Sequence, residues 1–463
     1  MILRLKSASV LAAACLLIAT ARGQPYVEDS INVYHSWVGS MCHNSTADVV
    51  YGASEEGVIF AISCSLNQII SRVYAHGPLN ITYDATDNKA YCSVYNDVLD
   101  SVLVIDGATH TRLRAIPLDW ATDLVWDSTD DHVWVTLQET DEVACIDCAT
   151  DSVIARVPVG DCPLKLHLNS RHRKLYVLNN DGESVTIVDI AENRVLRTIP
   201  LGNVPTAGCF SEAAGKYYCG IPSQVTVLDG EGDTIIARIS LPLGTSVNAL
   251  AAVESNGLVV AATMTGNSDS VLVIDVARDS VINSVAVGGN PRFLAVSPRT
   301  GLLYCAEGTT RSVSVLAGDG SRLLSSLSVS RGPSALQVAP RQSRLYVGHS
   351  SSPMVYVIRD SATGVGDSAV GPSRYGTCLR ATPNPFSGTT AITWSGWKHA
   401  IPVLVRSLDG RLVARLKANV SPGVARIAAW NGKGSNGQAT PPGVYFAEVD
   451  GNPGMRTKLV KLK

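Results

Sequence analysis

Charge is scarce in this 463-residue chain: Asp, Glu, Lys and Arg together make up 17% of it and cancel to a net charge of −2. That balance excludes the strongly basic surface of the usual nucleic-acid binder, and the slightly apolar average excludes a disordered chain. Aromatic residues are also few, at 6%. Past the N-terminal stretch, no apolar run approaches the roughly 20 residues that cross a bilayer as a helix. There is no Gly-x-Ser-x-Gly elbow and no phosphate-cradling glycine loop. The nine histidines offer no pair at metal-ligand spacing; His35 and His43 flank one segment, and His167 stands alone. No catalytic constellation is recognisable, so neither an enzyme nor a metal or cofactor site is expected.

The first residues carry an address. Arg4 and Lys6 precede an apolar run from Val10 to Ala19, followed by small residues around Ala21 and Gly23. This is the three-part pattern of a secretory signal peptide, with cleavage expected after Gly23. The rival reading, a lipoprotein box ending at Cys15, is weakened because the apolar run continues through Leu16, Leu17 and Ile18.

What the chain does have is a repeat. Its clearest copy runs from Lys174 to Pro205: a β-branched run containing Tyr176, the turn Asn180-Asp181-Gly182, a second run ending in Asp189, and a third from Arg194. The aromatic recurs at Tyr51, Tyr91, Trp134, Tyr176, Tyr218, Tyr304 and Tyr346, with Val260 in the one gap, a period of about 42 residues. About eight residues before each anchor lies another strand, often introduced by Gly-x-x-Pro, as at Leu164–Leu168. Four strands per unit is a propeller blade. After Arg359 the repeat stops one strand short, while an unpaired strand, Ile31–His35, precedes the first unit. The simplest accounting lets that strand complete the last blade and close an eight-bladed ring, seven blades being the alternative.

Tyr176-Val177-Leu178-Asn179, Val188-Asp189-Ile190-Ala191 and Val104-Ile105-Asp106-Gly107 resemble the YVTN family of propeller repeats, found also in surface-layer proteins and in periplasmic proteins of the YncE type. The resemblance covers most of residues 48–360 and implies fold more than activity. The recurring Asp106, Asp147, Asp189, Asp229 and Asp275 read as turn-pinning residues rather than calcium ligands. Cys92, Cys219 and Cys305 follow the anchor directly and read as small core residues. Cys145-Ile146-Asp147-Cys148 has the spacing of a redox or zinc pair, yet Cys145 takes the slot that Ile187 holds in the next unit, and no second pair accompanies it.

Four segments are therefore expected: signal peptide 1–23, propeller 24–360, Gly/Ser/Ala-rich linker 361–379, and a small immunoglobulin-like sandwich 380–463. Charge divides along the same line: residues 24–380 hold 24 basic and 37 acidic side chains, residues 381–463 hold 11 and 3. An acidic body carries a basic tail. The tail's landmarks are Asn384, Pro385 and Phe386, then Gly410, Trp430 and Gly432, then Gly443 and Tyr445, and finally Lys458 and Lys461. In this order they resemble the C-terminal sorting domain of type IX secretion substrates and the related domain of the flagellar hook-capping protein, with departures at Arg406 and Asn431. The resemblance implies passage through the periplasm, recognition by outer-membrane secretion machinery, and a secreted or surface-attached product.

In a propeller, ligands gather where loops crowd around the central channel. Asp119, Trp120 and Asp161 fall in the loops beside the channel, and Asp97, Glu139 and Asp181 in the loops between second and third strands. Trp120 between two carboxylates suits a sugar, a cation or a basic peptide. The expectation is an extracellular binding protein for a protein or glycan, against two alternatives: a hydrolase or lyase using rim carboxylates, and an envelope-layer subunit.

Overall fold

The computed structural model describes residues 24–95, 100–266, 268–330, 332–361, 380–382, 389–394, 403–407, 411–417, 426–435, 437–449 and 452–461. Residues 1–23, expected above to be a signal peptide, residues 362–379 of the expected linker, and Asp97, Asn384, Pro385, Phe386 and Gly410 lie outside the described residues. The chain divides into two compact units, residues 1–364 and 365–463.

The first unit is an eight-bladed β-propeller. Seven four-stranded antiparallel sheets follow one another in chain order, beginning at Val38–Asn44 and ending at Leu323–Ser328. The eighth holds Pro333–Ala339, Arg344–His349 and Met354–Arg359, and its outermost strand is the N-terminal Tyr26–Asn32. Ring closure by the N-terminus is thus as the sequence predicts, but the strand begins five residues earlier than Ile31 and stops at Asn32. The cause is Glu28, whose charge disguises an edge strand: its carboxylate accepts from Arg344 Nη2 at 2.6 Å and Nε at 2.8 Å, and from Arg359 Nη2 at 2.6 Å. The register, Ile31 opposite Val355, places Ile31 in a core shared with Phe60, Tyr346 and Val357.

Each first strand packs beside the first strands of the two neighbouring blades, so these eight strands form the innermost ring. Between blades the sheets meet through apolar side chains; Val104 of blade 2, for instance, shares a core with Val133, Val135 and Ile146 of blade 3. All seven anchor aromatics are buried to 1% exposure or less. Their hydroxyls explain why Tyr rather than Phe recurs. Tyr91 donates to Asp151 at 2.7 Å, Tyr218 to Asp279 at 2.8 Å, Tyr304 to Asp360 at 2.6 Å and Tyr346 to Asn67 at 3.0 Å, each partner lying on the following blade or its turn. Two residues before the anchor, Lys89, Lys174 and Lys216 reach the same turns, at 3.0, 2.8 and 2.7 Å from Asp151, Asp233 and Asp279. These clasps staple neighbouring blades at one end of the ring.

The turn-pinning aspartates behave as expected: Asp106 Oδ1 accepts from the backbone N–H groups of Ala108 and Thr109 at 2.8 and 2.7 Å, and Asp189 and Asp275 repeat the pattern. Cys92, Cys219 and Cys305 are wholly buried, and no disulfide forms among the described cysteines. Gly52 replaces a larger residue after its anchor because the Phe60 ring occupies the space a Cβ would need, 2.2 Å away.

The second unit holds a three-stranded sheet (Arg380–Thr382, Thr390–Trp394, Arg426–Trp430) and a four-stranded sheet (Leu412–Leu416, Val403–Ser407, Gly443–Val449, Asn452–Lys461). Trp430 of the first meets Tyr445 of the second edge to face, centroids 5.0 Å apart. The late landmarks converge on this corner: Gly432 turns at φ +70°, and Lys461 Nζ donates to Gly432 O at 3.0 Å and Thr440 O at 2.5 Å. Tyr445 donates to Pro441 O at 2.7 Å. Gly443 opens its strand, and Lys458 pairs with Phe446 in the last ladder.

Candidate binding site at the channel mouth

Loops that lead into the inner strands and loops between second and third strands share one end of the propeller. They are tied together by acidic side chains. Asp100 accepts from Trp120 N at 2.9 Å, Asp141 from Cys162 N at 2.8 Å, and Asp269 from Asn290 N at 2.6 Å. Much of the rim's acidity is therefore spent holding loops, as charge-assisted bonds to backbone N–H groups do well.

The predicted residues Asp119, Trp120, Glu139, Asp161 and Asp181 all lie at this end, on blades 2 to 4. Asp119, Glu139, Asp161 and Asp181 are exposed, and Gly182 N donates to Asp161 O at 3.2 Å, which ties the loops of Asp161 and Asp181 together. Trp120 adopts φ +53°, and its ring, half-buried, is tilted 54° against Tyr95 with centroids 5.0 Å apart.

The concave feature lies across the ring. Blades 1, 7 and 8 enclose a cavity of about 410 Å³ lined by Trp37, Glu55, Arg292, Phe293, Ser334 and Ser351 among others. Trp37 leads into the first inner strand at φ +61° and is 53% exposed. Burial raises the pKa of the Glu55 carboxyl above its ordinary 4.5, opposed by a hydrogen bond from the Trp37 side chain. Arg292 is exposed and makes no ion pair among the described residues. Two aromatic faces, a carboxyl and an uncommitted guanidinium around one cavity is the composition of a ligand pocket. A second cavity of about 420 Å³, lined by Tyr74, His76, Asp100 and Arg112, lies on the flank of blades 1 and 2.

Beneath the mouth, polar side chains link the inner strands. Ser40 donates to Asn80 Oδ1 at 2.6 Å, Asn80 Nδ2 donates to Asp123, and Asp123 Oδ2 accepts from Leu166 N at 2.9 Å. Farther round, Thr206 donates to Val247 O at 2.6 Å, Asn248 to Pro291 O at 2.8 Å and Ser334 to Val38 O at 2.6 Å. The sequence signal for this belt was available: one small polar residue near the start of six of the eight inner strands, those opening at Pro163 and Pro291 being the exceptions.

The chain matches no family model and no curated protein. Solved structures do resemble it. Hydrazine synthase of Kuenenia stuttgartiensis aligns with a TM-score of 0.50 at 16% identity, covering 61% of this chain and 95% of that one. Dihydro-heme d1 dehydrogenase NirN, in complex with DHE, aligns with a TM-score of 0.56 at 12% identity, covering 64% and 67%. The propeller fold is shared. At such identities the likeness carries the fold alone, although both neighbours are named as enzymes.

Proposed function

We propose that this is an exported binding protein, delivered to the cell surface or the medium, that takes its ligand at the channel mouth between blades 1, 7 and 8. The observation that carries the reading is the cavity walled by Trp37 and Glu55 of blade 1, Arg292 and Phe293 of blade 7, and Ser334 and Ser351 of blade 8. An unpaired guanidinium beside aromatic faces suits a ligand with an anionic group on a flat or apolar body, such as an acidic glycan or an acidic peptide segment. The repeats read as YVTN type, of the kind found in YncE-like proteins. The second unit reads as a sorting domain for type IX secretion, its partner the outer-membrane machinery; this rests on the landmark residues, four of which pack into one corner.

A glycan and peptide array probed with the full mature chain tests the pocket. Trp37→Ala and Arg292→Ala should each weaken any bound member at least tenfold, whereas Asp119→Asn should leave it unchanged; binding insensitive to both pocket variants refutes the site. Removing residues 380–463 should leave the propeller in the periplasm, and surface display of the truncated chain would refute the sorting role. A second reading, hydrolysis or elimination with Glu55 as the acid, is favoured only by its raised pKa. Turnover of a bound glycan lost in Glu55→Gln would establish it.

A further inference from the structure

At the opposite end of the ring, each inner strand finishes against a corner made by the next blade. Two of these corners show how the design closes. Asn44 Oδ1 accepts from the backbone N–H groups of Thr46 and Ala47, while its Nδ2 donates to Asn88 Oδ1 at 3.2 Å and Gly107 O at 3.0 Å on the next blade. Asn169 likewise donates to Gly230 O at 3.2 Å. In the corner between blades 3 and 4 the residue aligned with Asn88 is Arg173, a cation facing Asp127 and Asp130.

Between blades 2 and 3 the same three positions hold Asp84, Asp131 and Cys148. Asp84 Oδ1 keeps its turn, accepting from Thr86 N at 2.7 Å and Asp87 N at 3.1 Å. Its Oδ2, standing where Asn44 carries a donor, is fully buried and has no hydrogen-bond partner. One ligand atom from each of Asp84, Asp131 and Cys148 lies within 4.8 Å of the others. The carbonyl of Cys148 cannot relieve the acceptor, being itself an acceptor from Lys89 at 2.6 Å and Tyr91 at 3.4 Å. Lys89 is committed to Asp151 and Asp87, at 3.0 and 3.5 Å. The neighbourhood therefore sets four carboxylates and a thiol against a single ammonium, with Trp126 donating to Asp131 Oδ1 at 3.1 Å.

We propose that the Asp84, Asp131 and Cys148 corner is a binding site for a divalent, thiolate-accepting cation of the zinc class. A thiolate with two carboxylate oxygens is a donor set that zinc takes with bonds of roughly 2.0–2.3 Å, leaving a fourth position for water or a carbonyl. Such bonds bring ligand atoms to about 3.5 Å from one another, a spacing this corner can reach without a change of fold. Binding releases the thiol proton to solvent, and the cation supplies the charge that Arg173 supplies one blade on. Half-buried Asp131 gives the ion its route in.

The experiment uses the full mature chain, reduced and stripped of metal, titrated with Co2+ and then Zn2+. One equivalent of Co2+ should produce a thiolate-to-cobalt charge-transfer band that Zn2+ abolishes, and Zn2+ should raise the thermal midpoint. Cys148→Ser should lose the band. The double variant Asp84→Asn with Asp131→Asn rebuilds the Asn44 and Asn88 corner, so it should fold, melt no lower than the metal-free parent and ignore Zn2+. The proposal is overturned by a band that survives Cys148→Ser, by a band lost instead in His43→Ala, whose ring joins Asp48 and Cys64 in a second cluster, or by a parent indifferent to Zn2+ that melts lower than the double variant, which is the behaviour of two carboxyls sharing a proton.

Discussion

Replacing Glu28 with Gln should loosen the ring at its one non-contiguous blade. The carboxylate receives three charge-assisted hydrogen bonds from two arginines, and its side chain is only 20% exposed, that of Arg344 9%. Hydrogen bonds to charged groups contribute about 1.5–3 kcal/mol. Arg344 retains the Cys64 carbonyl as a partner, so the net loss should fall at about 2–3 kcal/mol. With an unfolding entropy of about 2.1 cal/mol/K per residue, a propeller of this size loses about 3–4 °C of Tm. The sign of the pH dependence follows from the arginines, which hold the Glu28 carboxyl below its ordinary 4.5. The ionised pair contributes fully above about pH 4.5 and loses its contribution as pH falls through the depressed native value. Thermal melts of the parent and Glu28→Gln should therefore differ at pH 7 and converge toward pH 3. A difference below about 1 °C at pH 7, or one that persists on acidification, refutes the account. Deleting residues 24–32 removes the strand itself and bares an edge, so it should cost more and promote association visible by light scattering.

Gly52→Ala drives a methyl into the Phe60 ring and should destabilise by about 1–3 kcal/mol in denaturant melts, with Phe60→Leu as a partial rescue. Tyr218→Phe leaves Asp279 with Lys216 but without its hydroxyl donor, and should cost about 1–2 kcal/mol by the same measurement. His349 is buried and His167 half-buried, and desolvation lowers each pKa to about 4. The unfolded chain takes up their protons first, so stability should fall as pH drops from about 6.5 toward 4, and His349→Gln should flatten that slope. In the second unit, Lys461→Met removes the amine from the carbonyls of Gly432 and Thr440 and should lower that unit's own transition while leaving the propeller's unmoved.

Most of the propeller was legible because each blade is local. A 42-residue unit whose second strand buries an aromatic, whose third ends in a turn-pinning Asp and whose first begins after Gly-Pro announces itself residue by residue, and the unpaired N-terminal strand announced the closure. Its limits were misjudged: the strand was expected at Ile31–His35, and only the structure shows two arginines from the far end of the propeller holding Glu28 within it. The rim carboxylates were legible as a class, with Asp119 and Asp161 in the loops that lead into the inner strands, but that Asp100 and Asp141 hold neighbouring loops through backbone N–H groups was not legible.

The sequence by itself determined the repeat, the four strands of each blade and the turn chemistry, since hydrophobic period and turn residues act over a few neighbours. Only the tertiary structure decided what faces what. Ring closure sets Trp37 and Glu55 beside Arg292 and Phe293, more than 230 positions away. The step from one blade to the next sets Asp84 against Asp131 and Cys148. Contacts of that kind are fixed by how the sheets pack around the axis, a property of the whole ring that no single repeat carries.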